Sequence, residues 1–123
     1  MVDTLDDYAI ATDLGSDINE LAWNDDSSLL VTCSEDQTIS VYDVSTWGSP
    51  VSLDTPTVSA TVSGSIKSCA FVPGTDDVMV GCANGKVYLI PAAVYSTNTE
   101  EQSFSAQVNS ITFRDASTYI VGL

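Results

Sequence analysis

The side chains that could do chemistry in this chain of 123 residues are three thiols, many hydroxyls and 17 carboxylates. The thiols are Cys33, Cys69 and Cys82, and none belongs to a Cys-x-x-Cys pair. Each sits inside an apolar, strand-like run, which reads as a buried, reduced thiol acting as a small hydrophobe. That use of cysteine fits a reducing compartment and predicts a cytoplasmic, intracellular protein. The chain contains no histidine. A Ser-His-Asp or Cys-His nucleophile therefore has no base here, and a zinc hydrolase lacks its usual imidazole ligands. No Gly-x-Ser-x-Gly elbow and no phosphate loop occurs either. The expectation is a chain with no catalytic residue, no cofactor and no metal site.

The charge balance narrows the partners. Against the 17 acids stand only Lys67, Lys86 and Arg114, for a formal net charge of -14. Nucleic acid is bound by displacing counterions from phosphates with cations, so DNA and RNA are poor partners. An anionic membrane surface is disfavoured for the same reason. The first fifteen residues have no basic n-region or apolar core of a secretory signal. The longest apolar stretches, such as residues 78–83, are too short to span a bilayer. Asp25-Asp26 and Asp76-Asp77 are too few and too turn-like for an EF-hand loop, and turn chemistry explains them. The remaining acids form a solvated surface that could also steer a basic protein partner.

What must hold these residues is a set of internal repeats. INELAW (18–23), IKSCAF (66–71) and VNSITF (108–113) share one pattern and begin 48 and 42 residues apart. Each is followed by a turn-rich stretch and a second apolar strand: LLVTC (29–33), VMVGC (78–82) and YIVGL (119–123). Tight turns and third strands follow in the first two units, over residues 38–44 and 87–90. The Asn84-Gly85 pair predicts a type I′ hairpin turn, because both residues tolerate positive φ. Fourth strands are expected at 8–12, 56–61 and 101–105. The stretch 45–55, with Trp47, Gly48 and Pro50, reads as an extended loop.

A unit of about 40–45 residues with four strands resembles the WD40 β-propeller family. Residues 18–44 resemble a WD repeat along their whole length, with Tyr42-Asp43 in the place of the Trp-Asp pair. In the second unit Ile90-Pro91 takes that place. The resemblance implies an all-β, partial propeller of about two and a half blades. Residues 1–17 give a leading outer strand and loop, 18–65 blade one with its loop, 66–107 blade two, and 108–123 two strands of blade three. Propellers close with 4–8 blades, so the chain is expected to need further blades from the same or another chain. Ending inside a strand, it reads as a truncated array. Stacking is expected to bury Leu21, Trp23, Leu30, Cys69, Phe71, Met79, Ile111, Phe113 and Ile120.

The family also implies site residues. Of its strand-bracing tetrad, Thr32, Asp36 and Tyr42 occupy the Ser/Thr, Asp and Trp places. The His place holds Leu14, Val62 and Phe104, and Gly81 and Asn84 stand in for the hydroxyl and the Asp of unit two. The partner-binding face of the family falls on the loops leading into the first strands and on the turns between second and third strands. Here those carry Asp13, Asp17, Ser34, Glu35, Asn84 and Lys86, with Trp47 as a possible interface anchor. The function so implied is a non-catalytic scaffold for protein–protein interaction. Two alternatives stay open: a structural subunit of a permanent assembly such as a coat, pore or ciliary complex, or the substrate receptor of an enzyme complex.

Overall fold

The computed structural model describes residues 16–44, 56–92, 95 and 97–123. Among them the only extended elements are strands, in three antiparallel sheets. Sheet one runs β1 (Ile18–Trp23), β2 (Leu29–Ser34), β3 (Thr38–Asp43) and β4 (Val58–Thr61) in simple meander order. Sheet two repeats it with β5 (Ile66–Phe71), β6 (Val78–Cys82), β7 (Lys86–Ile90) and β8 (Thr99–Ser103). Sheet three pairs β9 (Ser110–Asp115) with β10 (Thr118–Gly122). The expected fourth strands at 56–61 and 101–105 correspond to β4 and β8, each hydrogen-bonded to the third strand of its own sheet. The strand expected at 8–12 lies outside the described residues.

A small four-stranded sheet is stable only when its apolar faces are covered, and here the sheets cover one another. Val31, Cys33, Ile39, Val41 and Ala60 of sheet one meet Cys69, Phe71, Val78, Val80, Tyr88 and Ile90 of sheet two in one cluster. On the other face of sheet two, Met79 and Val87 meet Val108 and Ile111, with Phe113, Tyr119 and Val121 packed alongside. The core is thus two seams between three stacked sheets. Strands β1, β5 and β9 lie next to one another across the stack, and a single hydroxyl joins them. The buried Ser68 Oγ donates to Glu20 Oε1 at 3.0 Å and accepts from the Ile111 amide at 3.1 Å. Glu20 Oε1 also takes the Cys69 amide at 3.3 Å.

Three expectations need correction. Leu21 is 53% exposed, Trp23 46% and Ile120 66%. All three point away from the seams, on the outer faces of sheets one and three, where no other described sheet stacks. Leu30, Cys69, Phe71, Met79 and Ile111 are buried, and Phe113 is partly so.

The second correction concerns alignment. Trp23 pairs with Leu30, and its counterpart Phe71 pairs with Val78. Leu30, not Leu29, is therefore the equivalent of Val78, and the second strands match with a one-residue shift. Val80 rather than Gly81 takes the place of Thr32, and Gly81 matches Cys33. Gly81 has a packing reason of its own: a Cβ there would come within 2.3 Å of Val108 Cγ1.

The third concerns the Asn84-Gly85 turn. Gly85 has φ +85°, but Asn84 is not among the residues at positive φ. The Gly85 amide bonds Cys82 O at 3.1 Å, closing an ordinary turn that ends in one left-handed residue. The turn of sheet one is built alike: the Gln37 amide bonds Ser34 O at 3.3 Å, and Gln37 takes φ 75° without being glycine.

Candidate functional site

The loops singled out by the family resemblance meet at one end of the stack, and hydrogen bonds tie them together. The Glu35 amide donates to Asp17 O at 3.0 Å, joining the β2–β3 turn to the approach to β1. Ser65 Oγ donates to Glu35 O at 2.9 Å, joining that turn to the approach to β5. The Ala83 amide then reaches Ser65 O at 2.9 Å, and Asn84 Nδ2 reaches Ser63 O at 2.6 Å. The Phe104 amide closes on Gly85 O at 2.8 Å. Gly85 is required by that approach, since a Cβ would fall 2.2 Å from Phe104 O. Five segments, the approaches to β1, β5 and β9 and the two tight turns, so form one connected platform.

Glu35 is its hub. The register of β1 slips between Ile18 and Glu20, and that of β5 between Ile66 and Ser68. Such bulges re-aim a side chain, and the residues at the slip are Asn19 and Lys67. Asn19 Nδ2 donates to Glu35 Oε1 at 3.1 Å and to Ile66 O at 2.8 Å. Lys67 Nζ makes an ion pair with the same Glu35 oxygen. The Lys67 hydrogen bond, followed by that of Asn19, holds the Glu35 carboxyl below its ordinary value of 4.5. Glu35 is therefore a brace between sheets one and two rather than a free surface charge. Sequence reasoning missed both of its partners. The signal available was the polar second position of each repeat: Asn19, Lys67 and Asn109.

The other candidates are also occupied within the chain. The buried Ser34 hydroxyl donates to Asp36 Oδ1, which also accepts the Thr38 amide at 3.1 Å. Asn84 Oδ1 accepts the Lys86 amide at 3.1 Å, so it does in sheet two what Asp36 does in sheet one. Lys86 Nζ pairs with Glu100 Oε1 at 2.7 Å across β7 and β8, and this contact raises its pKa. Thr32 and Tyr42 are buried on β2 and β3, facing Ser40 and Leu30 across the ladder. Asp17 is exposed. Asp13 and Trp47 lie outside the described residues.

The opposite end of the stack carries more acid. There the β1–β2 turn meets the β5–β6 turn through Asn24 Nδ2 to Asp76 Oδ1 at 3.0 Å and the Gly74 amide to Asp25 Oδ2 at 2.6 Å. Asn24 Oδ1 also accepts the Leu29 amide at 2.9 Å, which closes its own turn. Asp26 accepts Ser28 Oγ at 2.6 Å and the Ser28 amide at 3.1 Å, and Asp115 accepts Ser117 in the same way. The Ser28 hydroxyl, then its amide, lower the Asp26 pKa; for Asp115 the Ser117 amide leads. Asp77 Oδ1 caps the Ala92 amide at 2.8 Å. Turn chemistry accounts for these aspartates, and no group of metal-ligating side chains occurs among the described residues.

Within the platform the Ser34 hydroxyl that bonds Asp36 is buried and serves its own turn. What the platform can do is present fixed backbone and side-chain groups from successive sheets to another macromolecule. Comparison with known proteins gives the same architecture: the family profile described as WD domain, G-beta repeat, matches residues 10–43. That span takes in β1, β2 and β3, including Tyr42-Asp43 at its end. No curated protein matches the sequence. WD repeats serve in general as scaffolds for protein interaction. Residues 10–43 match one WD repeat, and the antiparallel sheets stacked behind that span are similar to the blades of a partial WD-repeat propeller.

Proposed function

We propose that this chain is a non-catalytic scaffold and that its partner-binding surface is the platform of tied loops around Asp17, Glu35, Asn84 and Lys86; Ser34, expected to belong to that surface, is buried beneath it on Asp36. The observation that carries this reading is the hydrogen-bonded connection of those loops across two sheets. A surface held rigid before binding loses little entropy when a partner docks. Asp13 and Trp47 belong to the proposed surface by their place in the sequence. The partner is a protein, and a basic one, because the 17 acids dominate the field while Lys67 and Lys86 are held in ion pairs. The setting is intracellular, in keeping with three buried thiols.

A photo-crosslinking amino acid placed at Asp17, and separately at Asp25 on the opposite end, tests this in cells. Defined protein adducts from position 17, with none from position 25, are expected. Adducts from position 25 alone would move the surface to the acidic end. The absence of protein adducts at both positions would defeat the scaffold reading.

A further inference from the structure

Two side-chain contacts cross the seam between sheets one and two close to the platform. Lys67 pairs with Glu35, and two residues along from each of them stand Cys69 and Cys33. Cys33 pairs with Glu20 across the β1–β2 ladder, so their side chains leave sheet one on the same face. That face meets β5, where Glu20 Oε1 accepts the Cys69 amide at 3.3 Å. Cys69 Sγ donates to Glu20 O at 3.8 Å and lies in hydrogen-bond contact with the Cys33 thiol. Cys82 shares the cluster from β6. Cys33 is 0% exposed and Cys69 1%. Two thiols held together by folding differ from a disulfide only by their two hydrogen atoms.

We propose that Cys33 and Cys69 form a reversible disulfide in response to a hydroperoxide, and that this bond staples sheet one to sheet two beneath the loop platform. The thiolate is the reactive form of sulfur. Both sulfurs are shielded in the closed seam, so the first step belongs to the moments when the sheets part. One thiolate attacks a peroxide oxygen, the O–O bond breaks, and a sulfenic acid forms. When the seam recloses, the other sulfur attacks the sulfenic sulfur. The S–S bond forms, the S–O bond breaks, and the thiol proton leaves with the hydroxide as water. The two cysteines lose two electrons and the peroxide gains them. With hydrogen peroxide, two thiols and one peroxide give one disulfide and two waters. A dithiol reverses the bond by exchange. Folding chooses the pair. In an unfolded chain Cys69 meets Cys82, 13 residues away, more readily than Cys33, 36 residues away, by about 5-fold from loop-closure entropy. The seam inverts that order. The staple needs no partner protein, so it stands or falls apart from the scaffold reading.

The test is oxidation of the folded 123-residue chain with hydrogen peroxide, then alkylation of the remaining thiols and mass mapping of linked peptides. Trypsin leaves Cys69 and Cys82 on one fragment, residues 68–86, so cleavage before aspartate is used, which parts them at Asp76. The folded chain is expected to give a Cys33–Cys69 link with Cys82 alkylated. The same oxidation in urea should give mostly the Cys69–Cys82 link. The oxidised chain should have an unfolding constant about 30-fold or more below that of the reduced chain, the low end for a disulfide. Dithiothreitol should abolish that difference. Cys82→Ala should keep the bridge and Cys69→Ala should lose it. If either alanine lowers the melting temperature, the mapping of wild type carries the test alone. A folded chain that links Cys82 instead, that links only between copies, or that yields sulfinic acid without a link would overturn the proposal. A Cys33–Cys69 bridge that leaves the urea midpoint unchanged would overturn the staple.

Discussion

Trp23 and Phe71 end the first strand of two successive repeats, and their surroundings differ completely. Phe71 is 7% exposed, sealed in the seam between sheets one and two. Trp23 is 46% exposed, on a face with no described sheet beyond it. The repeat pattern assigns both to a core, because periodicity reports which way a side chain points and not what stands opposite. In a stacked array, burial belongs to the pair of sheets rather than to either one.

Truncating the two residues puts this contrast to its strongest test. Phe71→Ala should cost about 3–5 kcal/mol, the usual loss for a buried aromatic. Trp23→Ala should cost only about 1 kcal/mol, near the centre of the range for point substitutions in general. Urea denaturation of both variants measures the difference, and equal losses would show that Trp23 is covered in solution. The second seam offers a smaller effect of the opposite kind. Gly81→Ala adds a methyl group against Val108 and Ile111, and overpacking of this sort costs about 1–3 kcal/mol. Shortening the obstacle in Gly81→Ala/Val108→Ala should recover part of that loss.

The two β2–β3-type turns give a still smaller contrast. Gln37 takes a left-handed conformation for which its counterpart Gly85 is suited. Gln37→Gly should therefore raise stability by about 0.5–1 kcal/mol through relief of backbone strain. An unchanged or lower midpoint would mean that the Gln37 side chain contributes more than its backbone costs.

The smallest expected effect concerns Glu35. Its folded pKa lies below the ordinary 4.5 because Lys67, then Asn19, bond the ionised form. Between those two values the unfolded chain holds a proton that the folded chain does not. The contribution is thus complete above about pH 4.5 and is lost as pH falls through the folded value. Lys67→Met should flatten the pH dependence of stability in that window. A slope identical to wild type would mean that the pair is open in solution.

Much of the architecture was legible in the residues. The three first strands, the turns and the apolar second strands follow from period-two patterning and from clusters of Asn, Asp, Ser and Gly. The one-residue shift between Leu29–Cys33 and Val78–Cys82 was not, because a run of apolar residues carries no mark of where pairing begins. Counting from Trp23 and Phe71, each seven residues before its partner, would have found it. The loops of the platform were legible through family resemblance, but its wiring was not. Glu35 and Lys67 are 32 residues apart and meet only because two bulges and one seam place them together.

The first seam also carries its own clock. Cys33, Cys69 and Cys82 are all within 1% of complete burial, and the three thiols share one cluster. Contact with the Cys33 thiol, then burial, pushes the Cys69 pKa well up, and burial pushes Cys82 up to about 11. Neither forms much thiolate at neutral pH, and neither can be reached by a reagent while the sheets are together. Labelling must wait for the sheets to part. When reclosing outruns the reagent, the labelling rate reports the free energy of opening; when the reagent outruns reclosing, it reports the opening rate itself. A blade that separates locally would release these thiols ahead of global unfolding, whereas a stack that opens as a whole would release them together with the loss of its circular dichroism.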